Sequence, residues 1–242
     1  MTDPRPRLAA LLFDKDGTLV DFDQTWGRAG HAVMLRLGAG DPATVARLAE
    51  AMHYSVADLR FAPTSPLIAG APDTYVHLWA EALGRTGDPA MLDDLNAAFT
   101  DETLRALAPI GDPDAILAAL KARGLRLGLA TNDGEASARR QLAALGLDAH
   151  MDFIAGYDTG HGGKPDPGMV LAFAAHLGVA PGAVAMVGDS HLDLISARAA
   201  GAVAVAVLTG PARRDELAPL ADHVIDGIAD LPALVDRLAA ST

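Results

Sequence analysis

The sequence predicts an α/β protein, a doubly wound parallel sheet interrupted after its first strand by a helical insert. Three observations carry this prediction. After about residue 107, short apolar runs alternate with helical stretches; between 22 and 106, strand-like runs vanish and apolar residues recur at steps of three and four. The 242 residues, half of them hydrophobic, also suffice for a core domain carrying a smaller one. The expected division is a core of residues 1–21 and 107–242 and an insert of residues 22–106.

The apolar run Leu8 to Phe13 predicts a short buried strand. It delivers Asp14 and Asp16 onto a turn that Gly17 lets the backbone make. In the insert, Phe22, Trp26, Ala29, Val33 and Leu37 define an amphipathic helix, ended by Gly38 and Gly40. Asp41 and Pro42 supply an N-cap and a first-turn proline for a second helix through about Met52. Further helices are expected over Thr74 to Leu83 and Pro89 to Leu107. Tyr54 to Gly70, with Pro63, Ser65 and Pro66, reads as a loop longer than a connector needs.

Beyond Pro109 the two patterns alternate. Helices are expected over Pro113 to Arg123, Glu135 to Leu145, Pro167 to Leu177, Leu192 to Ala200 and Leu231 to Ala239. Strands are expected over Leu125 to Thr131, Phe153 to Tyr157, Val184 to Val187, Val203 to Leu208 and His223 to Ile225. Strands that are apolar throughout and separated by helices form a parallel sheet covered on both faces, with right-handed crossovers. Ligands of such sheets bind at the carboxyl ends of the strands, and Asp14 sits at one such end.

Composition removes several classes of function. A formal charge of -12 argues against a nucleic-acid or anionic membrane surface, where Lys and Arg would dominate. The chain has no cysteine, so disulfides, thiolate metal sites and Cys nucleophiles are out, in keeping with a reducing cytoplasm. The eight histidines show no metal-ligand spacing. Met1 to Arg7, with an acid and two prolines, does not read as a signal peptide, and no apolar run approaches the roughly 18 residues a bilayer span needs. A soluble, cytoplasmic protein is expected.

Four stations at strand ends carry chemistry. Asp14 suits a nucleophile and Asp16 a proton donor and acceptor, a pair fitted to attack on phosphorus, although Asp and Gly also make ordinary turns. Thr131, Asn132 and the amides after them can receive a phosphate oxygen at a helix start, or simply cap that helix through Asp133. In Gly160 to Pro167, glycines and prolines fix a loop that presents Lys164, a counter-charge for phosphate or a solvated lysine. Gly188-Asp189-Ser190-His191-Leu192-Asp193 puts two acids four residues apart at a helix start, more than capping alone requires. Two carboxylates about 4 Å apart repel by roughly 4 kcal/mol at an effective dielectric near 20. Gathering Asp14, Asp16, Asp189 and Asp193 therefore calls for a counter-charge, supplied by Mg2+ with Lys164.

The order Asp-x-Asp-Gly-Thr, Thr-Asn-Asp, Lys-Pro and Gly-Asp-Ser-x-x-x-Asp resembles the haloacid-dehalogenase-like hydrolase superfamily, in its phosphoglycolate-phosphatase-like branch. The resemblance covers the core and implies a Rossmann-like fold, with the helical insert as a mobile cap. It implies that Asp14 becomes an aspartyl phosphate, while Asp16 protonates the leaving oxygen and later deprotonates water. It further implies that Thr131 binds the transferring phosphoryl group and that Lys164 balances its charge. Asp189 would join Asp14 and the backbone carbonyl of Asp16 in the magnesium shell, with Asp193 acting there directly or through water. True dehalogenases of the superfamily lack an acid at the position of Asp16, so its presence favours phosphate.

The expected enzyme is a phosphoric monoester hydrolase acting on a small phosphate ester, as a monomer or homodimer. His53, Arg60, Thr64 and Ser65, in or beside the long loop, are candidate specificity groups. A phosphosugar mutase of the same superfamily and a non-catalytic phosphate-binding protein remain as alternatives.

Overall fold

The computed structural model of the protein describes residues 7–68 and 70–240. The segment Met1 to Pro6, most of the stretch read above as no signal peptide, lies outside the described residues. The chain forms two compact units: residues up to Asp21 together with those from Pro109 on, and Phe22–Ala108.

The first unit opens with β1 (Ala10–Phe13), all four residues of which are buried. The second unit then holds α1 (Arg28–Leu37), α2 (Pro42–Ala51), β2 (Tyr54–Ser55), β3 (Arg60–Phe61), α3 (Pro72–Ala82) and α4 (Met91–Arg105). Returning to the first unit, the chain runs through α5 (Pro113–Ala122), β4 (Arg126–Ala130), α6 (Glu135–Ala144), β5 (Phe153–Ala155), α7 (Gly168–Leu177) and β6 (Val184–Gly188). It closes with α8 (His191–Ala200), β7 (Val203–Val207), α9 (Arg214–Leu217), β8 (His223–Ile225) and α10 (Leu231–Ala240).

The first unit is an α/β fold around a six-stranded sheet of order β5-β4-β1-β6-β7-β8, in which every pairing is parallel. Every residue of β1, β6 and β7 is buried, the burial their unbroken apolar runs predict. The chain moves from β1 to β4 and β5 on one side, then returns to lay β6, β7 and β8 on the other. This reversal makes the carboxyl end of β1 the switch point where a ligand crevice forms.

In the second unit, Trp26, Trp79 and Phe99 pack with ring centroids 5.2 and 5.6 Å apart, in a core shared with Val33, Leu48 and Leu95. Two sequence expectations are corrected here. The helix over Phe22 to Leu37 begins as a wide π-turn, Asp23–Gly27, and becomes α-helical only at Arg28; the carbonyl of Gly27 in that turn accepts the Tyr54 hydroxyl at 2.7 Å. The stretch Tyr54 to Gly70 is not loop throughout, because β2 and β3 pair as an antiparallel hairpin. His53 and Leu59, beside these strands, have φ of 49° and 52°, a left-handed conformation that non-glycine residues seldom take. Among the described residues no helix is long and apolar enough to cross a membrane.

Candidate active site

β1 is held between β4 and β6, with Phe13 in register with Leu129 and Val187. The next residue, Asp14, donates its N–H to the Val187 carbonyl at 2.8 Å and is fixed at the strand's carboxyl end with 7% exposure. β6 ends in Gly188, and Asp189 follows it into the same buried region. α8 starts at once, with Ser190 as its N-cap and Asp193 completing a capping box.

Lys164 arrives from the loop after β5, and Asn132 aligns it. The Asn132 Oδ1 accepts the Lys164 backbone N–H at 2.8 Å, and its Nδ2 donates to the Lys164 carbonyl at 2.9 Å. The Asn132 side chain is thus tied to the lysine backbone. So aligned, the buried Lys164 Nζ lies 2.6 Å from Asp14 Oδ1 and 2.6 Å from Asp193 Oδ1. The solvated alternative for Lys164 is excluded. Thr131 is also buried, and its Oγ1 accepts the Asp133 N–H at 3.1 Å.

Carboxylate oxygens of Asp14, Asp189 and Asp193 all lie within 4.8 Å of one another, and all three residues are buried. Burial pushes the Asp14 carboxyl up to about 7, against the pull of Lys164 and with the Asp193 and Asp16 charges adding to it. Asp189 is raised well above the usual carboxylate range, first by burial and then by the charges of Asp14 and Asp193. Burial alone would lower the Lys164 ammonium, but Asp14 and Asp193 outweigh it and hold it above its ordinary value. Ionising all three acids beside one ammonium would leave two negative charges uncompensated, which is the state that burial and mutual repulsion oppose. An all-oxygen donor set with that deficit fits a hard divalent cation.

The four acids proposed from sequence do not play one part. Asp193 spends Oδ1 on Lys164 and Oδ2 on the Ser190 N–H and hydroxyl, at 3.0 and 2.6 Å. These contacts tie Asp193 to the lysine and to the helix start, while it stays within the three-acid group. Asp16 does not share the three-acid group: both of its carboxylate oxygens face Lys15 Nζ, at 2.9 and 2.7 Å.

Sequence reasoning missed two features. Lys15 is completely buried, although a lone lysine two residues beyond β1 reads in sequence as a solvated one. The turn after β7 also reaches the site. Thr209 Oγ1 donates to the Gly17 carbonyl at 2.5 Å, and a Cβ on Gly210 would meet Asp189 Oδ2 at 1.7 Å. The signal that could have found this turn is its position after the carboxyl end of another parallel strand.

In the second unit, His53 and Arg60 line a cavity of about 500 Å³ with Ser55, Asp58, Phe61 and Ala62. His53 Nδ1 is 2.9 Å from Thr64 Oγ1, and Arg60 pairs with Asp23 at 3.2 Å. Ser65 is set apart from these exposed groups. It is buried, and its hydroxyl oxygen accepts the Leu67 N–H at 3.3 Å.

Residues 8–201 match the haloacid dehalogenase-like hydrolase family. The chain belongs to that family. It is 31% identical over 236 residues to a phosphoglycolate phosphatase of Rhodospirillum rubrum, covering 92% of this chain and 88% of that one. It is 32% identical over 242 residues to a phosphoglycolate phosphatase of Cereibacter sphaeroides, covering 96% of this chain and all of that one. Among solved structures it resembles a β-phosphoglucomutase from Clostridium difficile with a TM-score of 0.68 at 18% identity, over 97% of this chain and 98% of that one. Likeness at that identity speaks for the fold alone. The family resemblance read from the motifs is thus borne out, in its phosphoglycolate-phosphatase-like branch, and the chain is an enzyme, a hydrolase.

Proposed function

We propose that this hydrolase is a magnesium-dependent phosphatase acting on a small organic phosphomonoester of the phosphoglycolate type, through an aspartyl phosphate on Asp14. The observation that carries the reading is Asp14 itself: a buried carboxylate at the switch point of the sheet, 2.6 Å from Lys164 and grouped with Asp189. Its close relatives in the phosphoglycolate phosphatase branch support the substrate class.

Asp14 attacks phosphorus, forming a carboxylate oxygen–phosphorus bond as the bond to the ester oxygen breaks. Asp16 gives its proton to the departing alkoxide. Water then attacks the aspartyl phosphate, passes a proton to Asp16, and frees Asp14 and inorganic phosphate. The Thr131 hydroxyl donates to a phosphoryl oxygen, and Lys164 balances the charge gathered between that group and Asp14. Asp14, Asp189 and the backbone carbonyl of Asp16 would hold the magnesium ion, which when bound neutralises charge on the phosphoryl oxygens and the acidic cluster. His53, Arg60 and Thr64 are the groups to which we assign substrate selection. A reducing cytoplasm suits the cysteine-free chain, acting as a monomer or homodimer.

The test is phosphate release from a panel of phosphomonoesters led by 2-phosphoglycolate, with magnesium and with a chelator, beside Asp14→Asn. Metal-dependent release that Asp14→Asn abolishes is the expected result. Accumulation of an isomeric phosphosugar in place of phosphate would make the protein a mutase. Stoichiometric phosphate binding without turnover would make it a binding protein.

A further inference from the structure

We infer that Lys15 is a positioning residue for Asp16: its buried ammonium, anchored at the start of α6, holds the carboxylate that exchanges protons with the leaving group and water. The inference rests on the phosphatase reading above. The geometry begins with a side chain that has no exposure at all. Its Nζ meets Asp16 Oδ1 at 2.9 Å and Oδ2 at 2.7 Å, Gln141 Oε1 at 2.8 Å and Asp133 Oδ2 at 3.2 Å.

The anchor is itself fixed. Asp133 Oδ1 accepts the Gly134 N–H at 2.8 Å, and Oδ2 accepts the Ser137 hydroxyl at 2.9 Å. Gln141 Nε2 donates to Ser137 Oγ at 3.1 Å. Lys15 thus joins the turn after β1 to the first two turns of α6. The end of β4 now serves both acids of the Asp-x-Asp pair. Asn132 sets the lysine that faces Asp14, and Asp133 sets the lysine that faces Asp16.

Filling a core does not need this arrangement. Withdrawing an ammonium and two carboxylates from water costs several kcal/mol per ion before their attraction is counted, and an apolar side chain fills the same space without that cost. What the ammonium adds is direction. An aspartate side chain free at its first torsion visits three staggered wells, whereas one held through both oxygens occupies a single orientation. The Asp16 side chain keeps 15% exposure while Lys15 has none, so the grip leaves part of the carboxylate open. A proton donor misplaced by about 1 Å can cost a hundredfold in rate, so a fixed orientation bears directly on turnover.

A positioning role and a merely structural one differ in how they respond to the leaving group. An alkyl phosphate needs its departing oxygen protonated; p-nitrophenyl phosphate, with its stable phenolate, does not. kcat/KM reads events up to the first irreversible step, departure of the alcohol, and so excludes later hydrolysis of the aspartyl phosphate. Lys15→Met keeps the stem and removes the charge. We expect it to lose roughly tenfold or more in kcat/KM on 2-phosphoglycolate beyond its loss on p-nitrophenyl phosphate, with Asp16→Asn showing the same bias more strongly. If Lys15→Met does not fold because Asp133 is left buried without its cation, the neutral pair Lys15→Met/Asp133→Asn is read in the same way. Equal losses on the two esters, or none, in a folded variant overturn the inference and leave Lys15 as a core ion pair. If wild type releases phosphate and Asp16→Asn shows the bias, that failure belongs to Lys15 alone. A wild type that releases no phosphate sinks the phosphatase reading and the positioning role with it.

Discussion

The ammonium of Lys164 lies 2.6 Å from Oδ1 of Asp14, across 150 residues of sequence. Asp193, at 2.6 Å, takes the same ammonium from the other side, so one cation is shared by two buried acids with a third, Asp189, beside them. Lys164→Met would strand that cluster. Removing one partner of a buried pair costs about 3–5 kcal/mol, because the remaining charge stays desolvated. We expect the variant to unfold at markedly lower urea in chelator, to recover part of the difference with magnesium, and to lose phosphatase turnover. Asp14→Asn is the contrast. It removes one crowded carboxylate and leaves Lys164 paired with Asp193, so stability in chelator should match wild type or exceed it. Wild-type stability in Lys164→Met would show that the cluster does not depend on this cation.

Gly210 approaches Asp189 so closely that an added Cβ would fall 1.7 Å from Oδ2 and 2.4 Å from Cγ. No real contact is that short, so Gly210→Ala must displace either the carboxylate or the turn after β7. Thr209, hydrogen-bonded at 2.5 Å to the Gly17 carbonyl, ties that turn to the loop carrying Asp16, which leaves the Asp189 side chain as the part most easily moved. The expected outcome is a magnesium requirement raised by roughly tenfold or more, with a smaller change at saturating metal. A metal titration of phosphate release reads both. An unchanged magnesium midpoint would remove Asp189 from the metal-holding role proposed for it.

How far the site was legible depended on whether a residue's partner was local. Asp14, Lys164 and Asp189 each follow an apolar run and stand among glycines or prolines, so strand and turn signals place them at sheet ends without knowledge of contacts. β8 emerges over His223–Ile225, the range its apolar run marks. Lys15 stands in the same motif, yet its Gln141 partner is 126 residues away, and an isolated lysine in sequence carries the signature of a solvated one. The Asn132 side-chain contacts were out of reach for a related reason: only the fold brings the Lys164 backbone to them. The hairpin of Tyr54–Ser55 with Arg60–Phe61 has two residues in each strand, too few to show a two-residue period.

Asp152 offers a stability test well separated from the site residues. It stands just before β5, one of the two edge strands of the sheet, and its N–H donates to the Leu127 carbonyl at 2.7 Å. Its carboxylate accepts the Leu127 N–H at 3.0 Å and the Arg126 guanidinium at 2.8 Å, fastening the beginning of β5 to β4. The Arg126 hydrogen bond, helped by the Leu127 amide and opposed by burial, holds this carboxyl below the ordinary aspartate value. A carboxyl whose folded pKa lies below its unfolded one stabilises fully above the unfolded value, and the contribution fades as pH falls through the folded value. Asp152→Asn should therefore lower the stability measured by urea unfolding near pH 7 by about 1 kcal/mol. The gap between wild type and variant should close progressively below about pH 4. A gap that persisted undiminished to about pH 3 would assign the loss to packing of the edge strand and not to the carboxylate charge.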